Sequence, residues 1–402
     1  MAFRKVQSLD VVGRRVFVRV DFNVPLGPDG AVTDDTRIVA SLPTLRYLIE
    51  KGARLIVASH LGRPKGKRDP KQSMAPVRDR LERLLRQPVK LSEHLVGPDA
   101  ERMSRDLKNG EVLLLENLRF DPREEANDPG FSQDLARLAD VYVDDAFGAA
   151  HRAHASTAGM AACLPERAAG FLLDRELTAL GRLIEAPARP FVAILGGAKI
   201  SGKIDVLTNL LPKVDRLIVG GGMMFTFLRA KGIATGKSLV EEDRVGMARD
   251  ILAQPGVTSK LVLPSDCLVA EDSKGKDPGR LVAVTAIPES LAGVDIGSES
   301  LAQIGGVLAG ARTVFWNGPM GVFEVPAYAR GTLGTAEEVA KATGRGAFTV
   351  VGGGDSLAAV HQAGVESRIS HCSTGGGASL EFLEGRILPG VAALEESAAA
   401  AR

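Results

Sequence analysis

Two lysines four residues apart, Lys199 and Lys203, follow a pair of glycines in the stretch FVAILGGAKISGKIDVL, residues 191–207. The stretch opens with a short apolar run that is typical of a buried strand, and a helical pattern follows the glycines. A strand that turns through glycines into a helix presents backbone N–H groups and the positive end of the helix dipole to an anion. Because the two lysines add full positive charges, the segment predicts a phosphate-binding site.

Residues 197–203 read GAKISGK, which also matches the G-x-x-x-x-G-K pattern of a P-loop. A P-loop continues with Ser or Thr, whose hydroxyl holds Mg²⁺, whereas the next residue here is Ile204, which has no side-chain oxygen. Three interpretations therefore stay open at this point: a P-loop without its metal-binding hydroxyl, a different kind of phosphate site, or a strand–turn–helix packing unit that binds nothing.

A carboxylate, Asp355, follows a second glycine run, Gly352-Gly353-Gly354, just before the helical pattern SLAAVHQAG. Its ordinary role would be that of a helix N-cap. A carboxylate beside phosphates is repulsive unless a divalent cation lies between them. If this turn faces a nucleotide, Asp355 is therefore the predicted Mg²⁺ ligand.

Basic side chains follow the strands that we predict in the first half of the chain, at residues 15–20, 54–58, 112–115 and 141–143. Each such residue alone is as well explained by a solvated surface. Their recurrence after successive strands instead favours anion binding, since the carboxyl ends of parallel strands share one edge of a sheet. The basic residues in question are His60, Arg63, Lys65, Lys67, Arg119, His151, Arg152 and His154.

Glycine runs follow predicted strands in the second half, at 217–219, 348–351 and 369–372, while Asn317 follows another at 313–316 and Asp266 follows one at 261–263. None of these runs matches G-x-G-x-x-G, so a dinucleotide site is unsupported. Strands that alternate with helical segments predict an α/β fold with parallel sheets.

Bulk composition limits the classes of protein. A chain of 402 residues is long for one core, so we expect two domains, and a net charge of +1 gives no support for a nucleic-acid partner. No apolar run approaches the ~18 residues of a membrane helix, and the N-terminus lacks the apolar region of a secretory signal. The three cysteines are far apart and outside C-x-x-C patterns, which favours a cytoplasmic protein with reduced thiols.

The chain closely resembles the phosphoglycerate kinase family over essentially its whole length. The stretches that carry the resemblance are VRVDFNVPL, SHLGRPKG, LENLRF, DAFGAAHRAHAS, LGGAKISGKI, VGGGM, FWNGPMGVFE, VVGGGDS and STGGGASLEFLEG. The resemblance implies a monomer that reversibly transfers a phosphoryl group from 1,3-bisphosphoglycerate to ADP with Mg²⁺, giving 3-phosphoglycerate and ATP. It implies no membrane partner.

The resemblance also implies two Rossmann-like domains whose parallel sheets face a central cleft. Residues 1–171 would bind phosphoglycerate and residues 187–388 the nucleotide. Residues 172–186, where Leu173, Leu177, Leu180 and Ile184 share one helical face, would form a connecting helix. Residues 389–402 would return to the N-terminal domain. Ligands held by different domains would require closure for catalysis.

The site residues are carried over from the family motifs. The phosphoglycerate would be held by Asp21, Asn23, Arg37, His60, Arg63, Arg119 and Arg152. The nucleotide would be held by Gly197, Ala198, Lys199, Lys203, Gly221, Asn317, Glu324, Gly353, Gly354, Asp355 and Ser356, with Asp355 as the metal ligand. The catalytic groups would be Arg37, Lys199, Lys203 and Gly376, the last lying on the phosphate path.

Two departures from the family pattern are small. Ser356 stands where Thr is common, and Asp144 stands where Asn is expected, which adds a negative charge near Arg152. Two other functions remain to be weighed: a different two-domain kinase acting on a small carboxylate, and a nucleotide-binding protein without catalytic activity.

Overall fold

The structure is a computed structural model that describes residues 3–395. The chain divides into two compact units. The first contains the described residues up to Thr178 and those from Ile387 onward, and the second contains Ala179–Arg386. The assignment of a ligand to each domain, and the predicted boundaries at 171, 186 and 388, stay predictions. Residues 396–402 of the predicted returning segment lie outside the described part of the chain.

The first unit is built on a six-stranded parallel sheet. Its strands are β1 (Arg15–Val20), β2 (Arg54–Ala58), β3 (Val89–Ser92), β4 (Val112–Leu115), β5 (Val141–Asp145) and β6 (Arg167–Ala169). They lie in the order β3-β4-β2-β1-β5-β6. The four predicted strands are confirmed, with β5 two residues longer than expected; β3 and β6 were missed because they are short edge strands with mixed polarity.

Helices cover this sheet and complete its core. They are α1 (Thr36–Glu50), α2 (Ala75–Leu85), α3 (Pro98–Arg105), α4 (Pro122–Glu125), α5 (Pro129–Ala136), α6 (Met160–Cys163) and the first part of α7 (Phe171–Glu185). Strand side chains such as Val16, Val18 and Leu55 are fully buried, and Leu45 and Leu48 of α1 join the same cluster. Burial of the central strands positions the loops at their carboxyl ends.

The second unit contains two sheets. Its strands are β7 (Phe191–Leu195), β8 (Arg216–Val219), β9 (Leu261–Val262), β10 (Asp266–Ala270), β11 (Arg280–Ala283), β12 (Ala292–Ile296), β13 (Thr313–Asn317), β14 (Phe348–Gly352) and β15 (His371–Ser373). Six form a parallel sheet in the order β15-β14-β13-β7-β8-β9, and three form an antiparallel sheet in the order β11-β10-β12. The antiparallel sheet was not predicted, and β15 begins two residues later than predicted.

The helices of the second unit are α8 (Ile204–Leu210), α9 (Gly222–Ala230), α10 (Val245–Ala253), α11 (Val257–Lys260), α12 (Ser298–Ala309), α13 (Arg330–Gly344), α14 (Gly354–Gln362) and α15 (Gly377–Leu383). Ile194, Val314 and Trp316 are buried at the centre of its core. The helix predicted at 172–186 is α7, displaced by one residue, and Leu173 and Leu180 on its predicted face are fully buried. Within residues 3–395, no helix is both long and apolar enough to span a membrane.

The described residues that follow Ile387 pack into the first unit. The short helix α16 (Pro389–Ala392) is held by a 2.9 Å hydrogen bond from the Gly390 nitrogen to the Ala150 oxygen. Glu395 forms an antiparallel bridge with Phe3, and its carbonyl accepts a 3.0 Å hydrogen bond from Arg167.

A buried carboxylate, Asp145 at the end of β5, holds the start of α7. Its Oδ1 accepts hydrogen bonds from the backbone nitrogens of Leu172 at 2.8 Å and Leu173 at 3.4 Å. Thr44 of α1 bonds to the same carboxylate and also accepts from the Phe171 nitrogen at 2.9 Å. Burial raises the pKa of Asp145 to about 7, against the opposing effect of these hydrogen bonds.

The raised pKa of Asp145 predicts a pH-dependent stability. Because the unfolded carboxyl ionises near pH 4, the fold disfavours ionisation, and the free energy of unfolding falls as pH rises from about 4 through about 7. Asp145→Asn keeps an acceptor for the α7 nitrogens and removes the ionisation. Between pH 5 and pH 8, the free energy of unfolding from urea titrations should fall by about 2 kcal/mol less in the variant than in the parent.

Asp140→Asn provides the matched control. The pKa of Asp140 is lowered, because its hydrogen bonds and charge pairing with Arg15 outweigh desolvation, so removal of its charge leaves the slope between pH 5 and pH 8 unchanged. An Asp145→Asn slope equal to that of the parent would show that the Asp145 carboxyl ionises normally in the fold.

Candidate active site

The first cluster contains the predicted phosphoglycerate residues of the first unit. It lies at the carboxyl ends of the strands of the six-stranded sheet, in the loops that follow them. Asp21, directly after β1, pairs with Arg37 on the first turn of α1, with 2.6 Å between Oδ2 and Nη1. Asn23 accepts a 2.8 Å hydrogen bond from the Gly62 nitrogen, which fixes the loop after β2 to the loop after β1. Asp34 holds the start of α1 through a 2.9 Å hydrogen bond from the Thr36 nitrogen.

His60, directly after β2, lies in the middle of this cluster and is buried. Burial holds the pKa of His60 well below its usual value, and the positive charges of Arg19, Arg119, Arg152 and Arg37 lower that pKa further. His60 is therefore a neutral imidazole at physiological pH, and it serves as a hydrogen-bonding group rather than a charge.

The remaining predicted phosphoglycerate residues are arginines with different degrees of burial. Arg119 is buried, donates to the Gly62 carbonyl at 2.7 Å and pairs with exposed Glu125 at 3.1 Å. Arg152 is half-buried and donates from Nε to His151 at 3.2 Å. Arg63 follows Gly62 and is exposed. Of the predicted residues, Asp21, Arg37, Arg119 and Arg152 thus act on His60 through contact or charge, whereas Asn23 reaches the neighbouring Gly62 and Arg63 is exposed.

The loop between β7 and α8 carries Lys199 and Lys203 in the second unit. Its glycines are tied to the loop after β13: the Gly197 nitrogen donates to the Pro319 carbonyl at 2.8 Å. The helix starts only at Ile204, after both lysines, and has seven residues. The two lysines therefore precede the first helical turn rather than lying on it as predicted, and Lys203 is the N-cap residue of α8.

Lys203 is half-buried, and its ammonium group lies against backbone carbonyls. Its Nζ donates to the Gly196 oxygen at 2.7 Å and to the Asn317 oxygen at 3.0 Å. Burial lowers the pKa of Lys203 to about 8, while the charge of Asp355 acts in the opposite direction. Lys199, by contrast, is exposed. The two lysines therefore present one anchored and one exposed ammonium group.

A cavity of about 480 Å³ opens beside this loop within the second unit. Predicted nucleotide residues that line it are Gly197, Ala198, Gly221, Glu324 and Asp355. Apolar side chains, among them Phe225, Leu239, Val294 and Met320, form much of the remaining wall. A mostly apolar recess with a few polar groups at its mouth suits a planar base with a sugar and phosphates.

Four other predicted nucleotide residues support the loops around the cavity. Asn317 donates from Nδ2 to the Gly352 carbonyl at 2.8 Å, and the buried Ser356 hydroxyl accepts a 2.6 Å hydrogen bond from the Gly318 nitrogen. Gly353 has φ +93° and precedes α14, whose first residue is Gly354. Gly376, at φ +54°, precedes α15 in the same way.

The structure corrects the predicted cap role of Asp355. The N-cap of α14 is Gly353, and Asp355 is the second residue of the helix, exposed and making no capping hydrogen bond. The left-handed φ of Gly353 starts the helix two residues earlier than the sequence pattern predicted. The Asp355 carboxylate is thus available at the mouth of the cavity.

Glu241 is a residue of this site that sequence reasoning missed. Its carboxylate accepts hydrogen bonds from the Ile200 nitrogen, from the Ser201 nitrogen at 3.1 Å and from the Ser201 hydroxyl at 2.6 Å. These bonds and the charge of Lys199 lower the pKa of Glu241 in spite of desolvation. Glu241 thus tethers the lysine loop from 40 residues along the chain, and no local pattern signals that contact.

Comparison with known proteins agrees with this geometry. The family model described as phosphoglycerate kinase matches residues 6–386. The chain is 57% identical over 399 residues to a phosphoglycerate kinase of Moorella thermoacetica, covering 98% of this chain and 100% of the relative. It is 55% identical to that of Anaeromyxobacter sp., with the same coverage.

Solved structures give the same result. The phosphoglycerate kinase of Coxiella burnetii superposes with a TM-score of 0.89 at 40% identity, over 98% of this chain and 99% of that one. The enzyme of Pyrococcus horikoshii superposes with a TM-score of 0.86 at 33% identity, over 97% and 98% of the two chains.

Fold and comparisons together define an α/β phosphotransferase that acts on a carboxyl group. More particularly, the chain belongs to the phosphoglycerate kinase family. It catalyses the reversible glycolytic transfer of a phosphoryl group from 1,3-bisphosphoglycerate to ADP, giving 3-phosphoglycerate and ATP. A different carboxylate kinase and a non-catalytic nucleotide-binding protein are not favoured.

Gly221 provides a test of the cavity. Its φ is +64°, and a Cβ added there would lie 2.6 Å from the Gly197 nitrogen, so Gly221→Ala forces apart two backbone segments that line the cavity. At Gly232 the φ is +79°, but nothing lies within 4 Å of an added Cβ. Both substitutions pay about 1–2 kcal/mol for a left-handed alanine.

Only Gly221→Ala is expected to weaken ADP binding, by about tenfold or more in calorimetric titrations. Gly232→Ala serves as the control for backbone strain alone. Equal ADP affinities in the two variants would mean that the cavity beside Gly221 does not hold the nucleotide.

Proposed function

We propose that the two units divide the substrates of the kinase reaction between them. The first unit would bind phosphoglycerate through Asp21, Asn23, Arg37, His60, Arg63, Arg119 and Arg152. The second would bind ADP or ATP through the residues that line or support its cavity. The observation that carries this proposal is the contrast between the clusters: arginines around a neutral histidine in one, and a recess with glycine loops and lysines in the other.

A protein that catalyses phosphoryl transfer mainly positions the reactants in line and stabilises the charge of the transferred group. We assign Arg37 and Lys203 to the equatorial oxygens of the transferred group and Lys199 to terminal phosphate oxygens, with Gly376 on the phosphate path. The ion pair with Asp21 orients the Arg37 side chain. Lys203 must exchange its hydrogen bonds to two backbone carbonyls for contacts with phosphate oxygens. No general base is required, because the accepting oxygen is anionic in both directions.

The residues present also fit the Mg²⁺ that ATP and ADP chemistry implies. Mg²⁺ in kinases is bound by one or two carboxylates together with substrate phosphates, and Asp355 offers an exposed carboxylate at the mouth of the cavity. The ion would neutralise charge on the phosphates.

Further parts of the proposal concern the protein as a whole. Because the proposed ligands belong to different units, transfer requires a hinge motion that brings the ligands together and excludes water from the acyl phosphate. We propose a cytoplasmic monomer whose partners are its small-molecule substrates, without nucleic acid or membrane partners. The near-neutral net charge of +1 supports this choice.

Arg37→Ala tests the first half of the mechanism. Loss of a charge that acts on the transition state should reduce kcat by about 10³-fold, while the Kd for ADP changes little. Arg46→Ala, on the exposed side of the same helix, is the control, since Arg46 donates to the Leu84 carbonyl. Steady-state kinetics in which Arg37→Ala keeps a near-parental kcat would remove Arg37 from the reaction.

Asp355→Asn tests the metal assignment. Because Asp355 does not cap α14, the substitution should leave the unfolding free energy within ~0.5 kcal/mol of the parent. The Mg²⁺ concentration for half-maximal activity should rise by about tenfold, as a hard cation loses its anionic ligand. The KM for 3-phosphoglycerate should stay unchanged.

Glu324→Gln is the comparison variant for Asp355→Asn, because Glu324 is an exposed carboxylate on the same cavity. Asp266, a further candidate, is buried and accepts hydrogen bonds from the Glu299 and Ser300 nitrogens, which removes it from consideration. If the Mg²⁺ requirement rose in Glu324→Gln and not in Asp355→Asn, the metal would belong to Glu324.

A further inference from the structure

Arg19, the fifth residue of β1, is fully buried beneath the first cluster. Its guanidinium donates in three directions: from Nε to the Ser156 hydroxyl at 2.8 Å, from Nη1 to the Val20 carbonyl, and toward Nδ1 of His60, which lies 3.3 Å from Nη2. None of the family-derived assignments above uses Arg19. Its position therefore needs a separate explanation.

The contact between Arg19 and His60 determines where the imidazole carries its proton. A guanidinium has five N–H donors, no acceptor, and stays protonated in proteins. Nδ1 of His60 must therefore be the acceptor in the 3.3 Å contact, so the proton of the neutral ring lies on Nε2. The Asp21 carboxylate is 3.9 Å from Nδ1, too far to accept a hydrogen bond and reverse this arrangement.

A second buried contact fixes the orientation of Arg19. The Ser156 hydroxyl accepts from Arg19 and donates to Glu124 of α4 at 2.6 Å, while the Ser156 nitrogen donates to the same carboxylate at 3.0 Å. The Tyr142 hydroxyl donates to the Ser156 carbonyl at 2.9 Å. A buried arginine is tolerated only with such compensation, and this chain of contacts runs from Glu124 through Ser156 and Arg19 to His60.

We propose that Arg19 is a positioning residue that locks His60 into the neutral tautomer with its proton on Nε2. In that tautomer His60 is an N–H donor, which suits an anionic oxygen of phosphoglycerate, whereas a lone pair on Nε2 would repel it. The inference rests on the proposed function, because it takes His60 as a group that contacts phosphoglycerate. Arg19 would act on the substrate only through His60.

The surroundings of His60 agree with a locked neutral ring. The charged groups that face it come from the strand β1, from the loops after β1, β4 and β5, and from helix α1: Arg19, Asp21, Arg119, Arg152 and Arg37. Burial first, and then the four arginines, keep the pKa of His60 well below its usual value. The ring thus stays neutral, and the contact with Arg19 selects between its two neutral forms.

Nitrogen NMR of histidine-labelled full-length protein tests the proposal directly, since the two neutral tautomers and the imidazolium have distinct ¹⁵N shifts. The parent should show His60 protonated on Nε2 alone, with no titration between pH 6 and pH 8.5. Addition of 3-phosphoglycerate should shift the Nε2 signal. Arg19→Met, which removes the donors and the charge at similar length, should give a mixture of tautomers and a raised pKa for His60.

Steady-state kinetics of Arg19→Met distinguish a positioning role for Arg19 from a general loss of folded protein. Arg19→Met should raise the KM for 3-phosphoglycerate by about tenfold, the scale of one charged hydrogen bond, with kcat within about threefold of the parent. Arg19→Lys, which keeps a donor and the charge, should restore the Nε2 tautomer and part of the KM. Arg15→Met, on the same strand but paired with Asp140, is the control and should leave tautomer and KM unchanged.

If Arg19→Met does not fold, Ser156→Ala provides a second variant, because it removes the hydroxyl that accepts from Nε of Arg19. We expect Ser156→Ala also to give a mixture of His60 tautomers. A parent His60 protonated on Nδ1, or an Arg19→Met protein that keeps the Nε2 tautomer unchanged, would overturn the proposal. A His60 with the expected tautomer and no response to 3-phosphoglycerate would instead overturn the proposed substrate site, and with it the donor role, while the Arg19 contact would stand.

Discussion

The first unit depends on holding several positive charges close together around a buried ring. Arg19, Arg37, Arg119 and Arg152 all act on His60, and in the absence of compensation their mutual repulsion would oppose folding. Compensation comes from carboxylates: Asp21 pairs with Arg37 at 2.6 Å, Glu125 pairs with Arg119 at 3.1 Å, and Glu124 is linked to Arg19 through Ser156. The cluster thus keeps its positive charges together in the absence of a ligand, as the proposed binding of phosphoglycerate requires.

The proposed anion site of the second unit is built from glycine-rich backbone and lysines rather than from arginines. Gly221, at positive φ, lets its loop approach the backbone of Gly197, and Gly353, also at positive φ, lies against the Asn317 side chain where a Cβ would clash. Lys203 is anchored by the carbonyls of Gly196 and Asn317, and Glu241 tethers the loop on its other side. The resulting recess has a mostly apolar lining with a few charged groups, which suits a base and its phosphates better than it suits a small acid.

Much of this arrangement was predictable from the sequence because apolar runs define central parallel strands and chemistry follows their carboxyl ends. The predicted strands at 15–20 and 54–58 match the structure residue for residue. The antiparallel strands β10, β11 and β12 were missed, since β11 is exposed and short and the register shifts between Leu268 and Val269. A local sequence pattern does not reveal which strands pair with one another.

The features of the two sites that were missed or misplaced share a physical reason. Arg19 sits in RVFVRV at a position that alternation places outward, but a central strand covered on both faces buries it. Glu241 acts from a distant loop. Asp355 was placed at the N-cap, although Gly353 starts the helix. Each depends on contacts between residues far apart in the chain or on backbone dihedrals, which residue types alone do not determine.

We propose that the first unit binds phosphoglycerate and the second binds the nucleotide. Backbone amide shifts mapped by transverse-relaxation-optimised NMR, with 3-phosphoglycerate alone and then ADP alone, distinguish the two binding sites. We expect 3-phosphoglycerate to perturb residues around Asp21, His60 and Arg119, and ADP to perturb those around Gly197 and Gly221. Perturbation of the Gly197–Gly221 cavity by 3-phosphoglycerate alone, with the His60 region unchanged, would contradict this proposal.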